Sequence, residues 1–359
     1  MSLVTLKVRS PIHVGGPEGA VDTAELAVVG DQAYRVSTVG LEDWLHDHGL
    51  VPAYLRASEE AVGRPFSLPG FLRAQGMVPS EVLPTVAEYA VAVPADANIA
   101  HVRTFCRHPD GSPYLPGTTI KGAFRTAALA RQLSAEAPLG EALVRAASQA
   151  RPSDRWAARD VEREAFSRLR FPDHLRVTPL HRDLWRFVRV RDSVPIKPEH
   201  VAIMEVVVWS RRRDGTPYEK ASLYAECLVP GTEVRFGLDV DQEALQRCRA
   251  AFSWATPEGL LDAAAEWART VWAGETESLA SLGHAAHLAG FYADTPAGIR
   301  LGWGSGWHSL GVGRLLPTGL QRRLAPRDQE GQPFPKTRKT AVIAVGNLLP
   351  LGWGDLSVI

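Results

Sequence analysis

The chain has 359 residues, of which 45% are hydrophobic, and its 40 lysine and arginine residues balance 40 aspartate and glutamate residues. This composition excludes an intrinsically disordered chain, because such chains combine low hydrophobicity with high net charge. No apolar run reaches the length of a signal peptide or a membrane span, so we expect a soluble, cytoplasmic protein. The length predicts either two domains or one core with large insertions.

The distribution of charged residues and the positions of the cysteines limit the classes of function that the chain can have. Residues 1–100 contain 6 basic and 12 acidic residues, whereas residues 314–339 contain 7 basic and 2 acidic ones. Only six of the 40 basic residues are lysine, and the planar guanidinium of the remaining arginines suits bidentate contact with phosphate. The three cysteines lie far apart and form no C-x-x-C pair, so we predict no disulfide framework, no metal site and no cofactor.

The N-terminal part of the chain predicts strands followed by a helical insertion. Residues 3–9 are rich in β-formers and lead into the turn SPIHVGG, which indicates a strand that ends in a glycine loop. The loop residues His13, Gly15 and Gly16 are candidate contacts to a ligand. Further along, the pattern predicts a hairpin at 20–36 and helical segments broken by prolines at 41–62 and 79–92.

Residues 113–133 give the clearest local pattern. A Pro-Gly turn is followed by Thr118 and Thr119 as candidate N-caps and then by apolar residues at helical spacing, which predicts a loop that opens a helix. Unpaired backbone N–H groups at a helix start bind anions, and Lys121 and Arg125 lie four residues apart on one side. We therefore predict that the backbone N–H groups at this helix start, together with Lys121 and Arg125, hold a phosphate. The segment is not a Walker A loop, and an ordinary capped helix is the alternative.

Arginine-bearing strands are predicted in the middle of the chain. The alternation in WRFVRVR, residues 185–191, is typical of a half-solvated strand. An Asp-Gly turn in RRRDGTPYEK predicts a hairpin with three arginines near its tip, for which a solvated tip is the alternative. The other elements predicted here are a helical stretch at 139–170 and strands at 201–209, 222–228 and 232–240. The arginines predicted to contact RNA are Arg189, Arg191, Arg211, Arg212 and Arg213.

After a helical region at 257–290, the C-terminal part is rich in glycine and tryptophan. The stretch GWGSGWHSLGVG, residues 302–313, allows a backbone to approach a ligand closely, and its indoles can stack on RNA bases. A glycine-permitted turn with core tryptophans is the alternative. The basic stretch PKTRKT follows at 335–340. The residues predicted to bind RNA in these two stretches are Gly304, Ser305, Gly306, Trp307, His308, Lys336, Arg338 and Lys339.

Catalytic patterns are sparse. The chain contains no H-E-x-x-H or G-x-S-x-G motif and no recognisable carboxylate pair. His13 and His308 each lie beside a glycine loop and could act as a general base or acid on a ribose hydroxyl, with a purely hydrogen-bonding role as the alternative. We therefore predict no catalytic residue and expect a protein that is not an enzyme.

Several sequence motifs resemble those of the RAMP superfamily of CRISPR proteins and occur in the same order. They are SPIHVGG, PYLPGTTIKGAFRTAAL, VRVRDS and the C-terminal glycine loop. Within it, PYLPGTTIKGAFRTA, RLGWGSGWHS and the closing PKTRK…PLGWGDL resemble the fifth, Csm-type subunit of type III-A effector complexes. The resemblance implies an α+β fold with a ferredoxin-like, RRM-related core, large insertions and a second, degenerate ferredoxin-like half. The predicted segments are a core at 1–240 with insertions at about 40–100 and 135–180, and a C-terminal region at 241–359.

The same resemblance implies a function in antiviral defence. It implies a non-catalytic RNA-binding subunit that holds the guide RNA near its 3′ end and assists guide maturation and complex assembly. The residues that inherit an RNA-binding role from this resemblance are Thr118, Thr119, Lys121, Arg125, Gly304, Ser305, Gly306 and His308. We predict the same role for His13, Gly15 and Gly16 in the first glycine loop. The implied partners are the CRISPR guide RNA, the backbone and small helical Csm subunits, and cellular nucleases, without a membrane. Two alternatives stay open: a metal-independent endoribonuclease of the same superfamily that processes guide RNA, and a protein scaffold without RNA contact.

Overall fold

A computed structural model provides the structure of most of the chain. None of the helices it describes combines the length and the apolar character that crossing a membrane requires. Two predicted RNA contacts, Arg213 and Lys336, lie outside the described residues. The described residues are 1–22, 25–63, 66–94, 97, 99–151, 154, 157–169, 178–212, 214, 216–247, 252, 254–280, 285–324, 337–344 and 347–359.

The described residues form both helices and mainly antiparallel sheets, so the protein is of the predicted α+β class. The strands are β1 (Ser2–Val8), β2 (Gly15–Asp22), β3 (Leu26–Val29), β4 (Gln32–Val36), β5 (Ala87–Ala92), β6 (His101–Phe105), β7 (Val188–Ser193), β8 (Val201–Arg211), β9 (Pro217–Leu228), β10 (Glu233–Val240), β11 (Ile299–Arg300), β12 (Arg338–Ala344), β13 (Asn347–Pro350) and β14 (Trp353–Val358). The helices are α1 (Thr38–Asp47), α2 (Val51–Glu60), α3 (Leu68–Ala74), α4 (Pro79–Val86), α5 (Gly117–Ala135), α6 (Ala137–Gln149), α7 (Arg159–Phe166), α8 (Gln242–Arg247), α9 (Pro257–Ala280), α10 (Ala285–Tyr292), α11 (Trp307–Leu310) and α12 (Thr318–Leu324).

One sheet has the strand order β11-β14-β1-β10-β7, and all neighbouring strands in it are antiparallel. The first strand of the chain is central, because β1 lies between β14 and β10. Helices α5 and α9 pack against each other and contact this sheet. The sheet takes strands from both predicted segments, 1–240 and 241–359, so the two segments share one core rather than forming separate ones.

A second sheet follows the order β2-β6-β9-β8-β5-β4-β3, with β12 of the β12–β13 hairpin paired to β8. The predicted hairpin is confirmed: β8 and β9 pair from Val201 opposite Leu228 to Arg211 opposite Pro217. β6 runs parallel to β9, which places residues 101–105 beside a strand more than a hundred residues away. Helices α1, α3 and α4, in the predicted insertion, contribute to a hydrophobic cluster of their own with β3 and β4.

The predicted secondary structure was partly wrong in two segments, residues 87–92 and residues 185–191. Residues 87–92 form β5 rather than the end of a helix, because the helical segment stops at Val86 and AEYAVA pairs with β4. In WRFVRVR the strand begins only at Val188, since Leu184–Phe187 form a 3-10 helix. The Asp183 carboxylate caps that helix by accepting from Trp185 N at 2.8 Å. Burial of the Trp185 indole against Trp254 outweighs the alternating pattern.

The start of α5 packs tightly against β7. Gly117 is buried, and a Cβ added to it would lie 2.3 Å from Val190 O. A side chain at this position would therefore push the helix away from the sheet. Gly122, one turn further along, has no heavy atom within 4 Å of an added Cβ.

We expect Gly117→Ala to lower the free energy of unfolding by about 1–3 kcal/mol, because overpacking at a tight helix–strand contact costs this much. Gly122→Ala is the matched control, and it should leave stability unchanged or raise it by about 0.5–1 kcal/mol through its helix propensity. Urea denaturation of both variants measures the difference. Equal stability of the two variants would contradict the described packing of α5.

Candidate nucleic-acid interface

The two predicted glycine loops, from opposite ends of the chain, meet in the structure. Trp303 N donates to His13 O at 2.8 Å. Gly302 has a φ of +75°, and a Cβ added to it would lie 2.2 Å from the same oxygen. Only glycine combines this backbone conformation with this close approach. The sequence predicted both loops as functional, and the structure brings them together at one place.

Trp303 carries two cations over its ring. The Arg103 guanidinium carbon lies 4.8 Å and Lys339 Nζ lies 5.2 Å from the ring centre, within the range of cation–π attraction. Lys220, which is exposed, lies close enough to lower the pKa of Lys339. We refer to Trp303, Arg103, Lys220 and Lys339 as the Trp303 cluster.

The charge of the Trp303 cluster is uncompensated. Within the part of the chain that the structure describes, none of its three cations forms an ion pair. Burial lowers the pKa of Lys339, and the like charges of Arg103 and Lys220 lower it further. Crowded positive charges raise the local potential and attract anions. The cluster therefore has the chemistry to bind a sugar–phosphate backbone.

His13 is buried and packs against the Trp303 ring. It is 2% exposed, its Nδ1 is 2.7 Å from Glu226 O, and its ring meets the Trp303 ring edge-on at 5.5 Å. Burial lowers the pKa of His13, so the ring is neutral at neutral pH. Gly15 is exposed next to this histidine, and Gly16 is half-buried against Phe105.

At the start of α5, the expected unpaired N–H group at Gly117 and free cations are absent. Gly117 N donates to Asp192 Oδ1 at 2.7 Å, so a carboxylate of the protein itself already occupies the anion position. Lys121 Nζ donates to Val188 O at 2.6 Å, and burial lowers its pKa. Arg125 pairs with Asp183 at 2.9 Å and also with Glu162. These groups stabilise the fold. The N–H group of Gly117 and the side chains of Lys121 and Arg125 are therefore not available to bind a phosphate.

The two threonines of this segment are more accessible. Thr118 is exposed and Thr119 is half-buried in the first turn of α5. Thr119 N donates to Pro116 O at 3.0 Å, which closes that turn within the chain. RNA contact by either threonine stays a prediction.

The stretch from residue 302 to residue 313 faces largely inward. Ser305 is 3% exposed and His308 is 5% exposed. Ser305 Oγ donates to Gly302 O at 2.8 Å, and His308 Nε2 lies 3.2 Å from Gln321 Oε1. These side chains therefore shape the loop from within, which corrects their predicted role as surface contacts.

Other members of this stretch reach the surface in part. Gly304 is half-buried with a φ of +92°, and Gly306 is exposed with a φ of +73°. Trp307 is half-buried and lies over Gly313, where a Cβ would be 2.1 Å from the indole. The backbone of Gly306 is therefore accessible to a ligand.

A buried ion network contacts this loop, because Arg300 Nη2 donates to Gly304 O at 3.3 Å. Glu275 is 3% exposed and pairs with Arg338 at 2.9 Å and with Arg300 at 3.7 Å. Burial raises the pKa of Glu275, but the two guanidiniums outweigh burial, and the net shift is downward. Arg338, predicted to bind RNA, therefore has its guanidinium committed to a buried carboxylate. Its neighbour Lys339 is the basic residue of PKTRKT that joins the Trp303 cluster.

The remaining predicted arginines lie on other surfaces. Arg189 and Arg191 are exposed on the edge strand β7, where Arg189 pairs with Asp239 at 3.6 Å. Near the tip of the β8–β9 hairpin, Arg211 is half-buried, and burial together with Arg338 lowers its pKa. Arg212 is exposed and lies 5.6 Å from the Tyr218 ring. RNA contact by these four arginines stays a prediction.

Sequence reasoning missed Arg103 and Lys220. Arg103 lies on β6, and its register partner across the parallel β6–β9 pairing is Ala225. Lys220 lies on β9, opposite an irregularity in the β8–β9 register. The alternation HVRTF predicts an outward side chain for Arg103, but no local pattern indicates which distant tryptophan it meets.

The chain has relatives among known proteins. Residues 5–246 match the family model of the RAMP superfamily. Two curated relatives, each described as CRISPR system Cms protein Csm5, come from Mycobacterium tuberculosis strains CDC 1551 / Oshkosh and ATCC 25618 / H37Rv. Each is 27% identical over 172 residues, which cover 47% of this chain. The matched part spans 42% of the length of these relatives.

Two solved structures share the fold over almost the whole chain. One is a chain in a cryo-EM structure of a Csm–crRNA–target RNA ternary complex of a type III-A CRISPR-Cas system. It has 22% identity and a TM-score of 0.71, and the match covers 99% of this chain and 100% of that one. The other is the crystal structure of T. onnurineus Csm5, with 23% identity, a TM-score of 0.65 and coverage of 98% and 99%.

The buried His308 makes stability depend on pH. Burial and nearby Arg338 lower the pKa of His308 to about 4, whereas an unfolded chain keeps the ordinary value of 6.5. The unfolded state therefore binds more protons below about pH 6.5, and stability falls as the pH decreases towards 4. Between about pH 6.5 and 5, this residue should remove roughly 1.5 kcal/mol of unfolding free energy.

Urea denaturation of the wild type and of His308→Gln at both pH values isolates this contribution from the titration of other groups. The variant should lose roughly 1.5 kcal/mol less than the wild type over this interval. Identical losses in the two proteins would show that His308 is accessible to protons in the folded state.

Proposed function

We propose, because this chain belongs to the RAMP superfamily, that it is a non-catalytic RNA-binding subunit of a type III-A CRISPR effector complex. It holds the guide RNA near its 3′ end and assists guide maturation and complex assembly in the cytoplasm. Its protein partners are the backbone and small helical subunits and cellular nucleases. The uncompensated positive charge of the Trp303 cluster is the observation that carries the proposal.

The Trp303 cluster suits an RNA of any sequence. Lysine and arginine contacts to phosphate supply affinity without reading bases, as a guide with variable spacers requires. The exposed Gly306 backbone and the indole of Trp303 belong to the same loop. The similar fold of a chain in a complex described with crRNA and target RNA supports the same class of ligand.

The five-stranded sheet supports a ferredoxin-like core. The chain passes through β1, α5, β7, β10, α9 and β14 in that order, which is a βαββαβ sequence. The corresponding strands lie side by side as β14-β1-β10-β7, all antiparallel. We interpret these six elements as the ferredoxin-like core and the elements between them as insertions. A second, degenerate half stays a prediction.

The environments of His13 and His308 favour the non-catalytic role over the endoribonuclease alternative. Both rings are at most 5% exposed, and burial lowers the pKa of each. A general base or acid must come within hydrogen-bond distance of the proton it transfers. Rings buried behind the glycine loops are too enclosed to reach a ribose hydroxyl of a strand on the surface.

We expect Arg103→Ala and Lys339→Ala each to weaken guide RNA binding about three- to tenfold at moderate salt, because each removes a phosphate contact. Each should also reduce the magnitude of the slope of the logarithm of the association constant against the logarithm of the salt concentration by about 0.7. This is the value for one phosphate contact to a single strand. Filter binding or fluorescence anisotropy with guides of unrelated spacers measures both quantities. All such guides should bind the wild type with similar affinity.

Arg145→Ala is the control, because Arg145 is an exposed arginine on α6 that pairs with Glu141. It should retain wild-type affinity and slope. Wild-type binding by both cluster variants would contradict the proposal, as would a large preference for one spacer. Metal-free cleavage of repeat RNA that is lost in His308→Ala would favour the endoribonuclease instead.

A further inference from the structure

A cavity of about 490 Å³ is lined in part by Gly16, which belongs to the same loop as His13. Its walls come from the start of β2, from β4 and β5, and from the loop that follows β6. The volume falls within the range of small-molecule sites in proteins. The cavity lies near the Trp303 cluster, because the His13 ring lies 6.3 Å from the ring of Phe105, which lines the cavity, and 5.5 Å from the Trp303 ring.

The cavity has a rigid, flat wall. The Arg107 guanidinium lies 3.6 Å from the centre of the Tyr89 ring, so the two planar groups stack. Arg107 Nη2 donates to Glu226 Oε2 at 3.2 Å, and Phe105 N donates to the same oxygen at 2.7 Å. Glu226 is fully buried, which fixes this wall before any ligand arrives. Preformed planar walls favour a planar ligand.

The charges around the cavity disfavour a phosphate. Arg35 is neutralised by Glu18 at 3.3 Å and Glu25 at 2.9 Å, and Arg107 by Glu226. The lining also includes Glu88, which forms no ion pair within the described residues, and Asp110. Hydrogen bonds from Ser112 lower the pKa of Asp110, so it is ionised at neutral pH.

These carboxylates match a different part of an RNA strand. The exocyclic amino groups of cytosine, adenine and guanine donate hydrogen bonds, and carboxylates accept from such groups. Single-stranded RNA is commonly recognised by unstacked bases that stack on aromatic rings or guanidinium planes. The wall of Tyr89 and Arg107 and the acidic rim together provide both kinds of contact.

We propose that this cavity receives one unstacked nucleobase bearing an exocyclic amino group, from the RNA strand whose phosphates lie on the Trp303 cluster. The proposal rests on the proposed RNA-binding function. Uracil, which lacks an amino group, fits less well. Because only one nucleotide is read, guides of mixed sequence still bind with similar affinity.

RNA oligonucleotides of about 12 nucleotides test the proposal, because protein sites for single-stranded nucleic acid span about 4 to 16 nucleotides. The wild type should bind oligo(C) about fivefold more tightly than oligo(U), the lower end of the discrimination expected for one hydrogen-bonded base. The double variant Glu88→Gln with Asp110→Asn, which preserves the cavity shape, should lose this preference. Equal binding of both oligonucleotides by the wild type would overturn the proposal.

A blocking variant separates this proposal from the proposed function. Glu88→Trp should fill the cavity and weaken oligo(C) binding about tenfold, while Glu81→Trp, on the exposed face of α4, should not. If Arg103→Ala loses binding but Glu88→Trp behaves like its control, the cavity proposal fails and the function stands. If none of these variants affects RNA binding, both fail. If Glu88→Trp binds RNA normally but no longer assembles with neighbouring subunits, the cavity accepts a protein side chain instead.

Discussion

The hydrogen bond from Trp303 N to His13 O joins the two ends of the chain, and the candidate interface depends on it. Gly352 N donates to Pro11 O at 2.8 Å and Leu301 N donates to Gly352 O at 2.7 Å, which extends the junction on both sides. Gly302 permits the close approach because a side chain would collide with the His13 carbonyl. The junction fixes the indole on which Arg103 and Lys339 lie.

Arginine in this chain serves two different purposes. Arg125, Arg300 and Arg338 pair with carboxylates inside the molecule and hold its elements together. The cations of the Trp303 cluster lack such partners among the described residues and leave a positive charge beside a partly accessible indole. The number of arginines therefore says little about RNA binding, whereas the absence of a nearby carboxylate marks the candidate interface. By contrast, the cavity lined by Gly16 carries the exposed carboxylates of Glu88 and Asp110.

Local patterns predicted the α+β class, the hairpin of β8 and β9, the helix α5 and both glycine loops, because each depends on residues close in sequence. They failed where a distant partner decides the outcome. The sequence around Lys121 and Arg125 contains no partner for either cation. In the structure, Lys121 donates to Val188 O and Arg125 pairs with Asp183, and both partners lie more than fifty residues away. Arg103 was missed for the same reason, since its contact with Trp303 follows from sheet pairing and from the junction of the chain ends.

Lysine footprinting by mass spectrometry tests the central claim most directly. The chain has only six lysines, so the acetylation rate of each can be followed with and without guide RNA. Lys339 and Lys220 should become protected when guide RNA binds, while Lys197, exposed beside Glu199, should react at an unchanged rate. Unchanged reactivity of Lys339 and Lys220 in a saturated RNA complex would contradict the account.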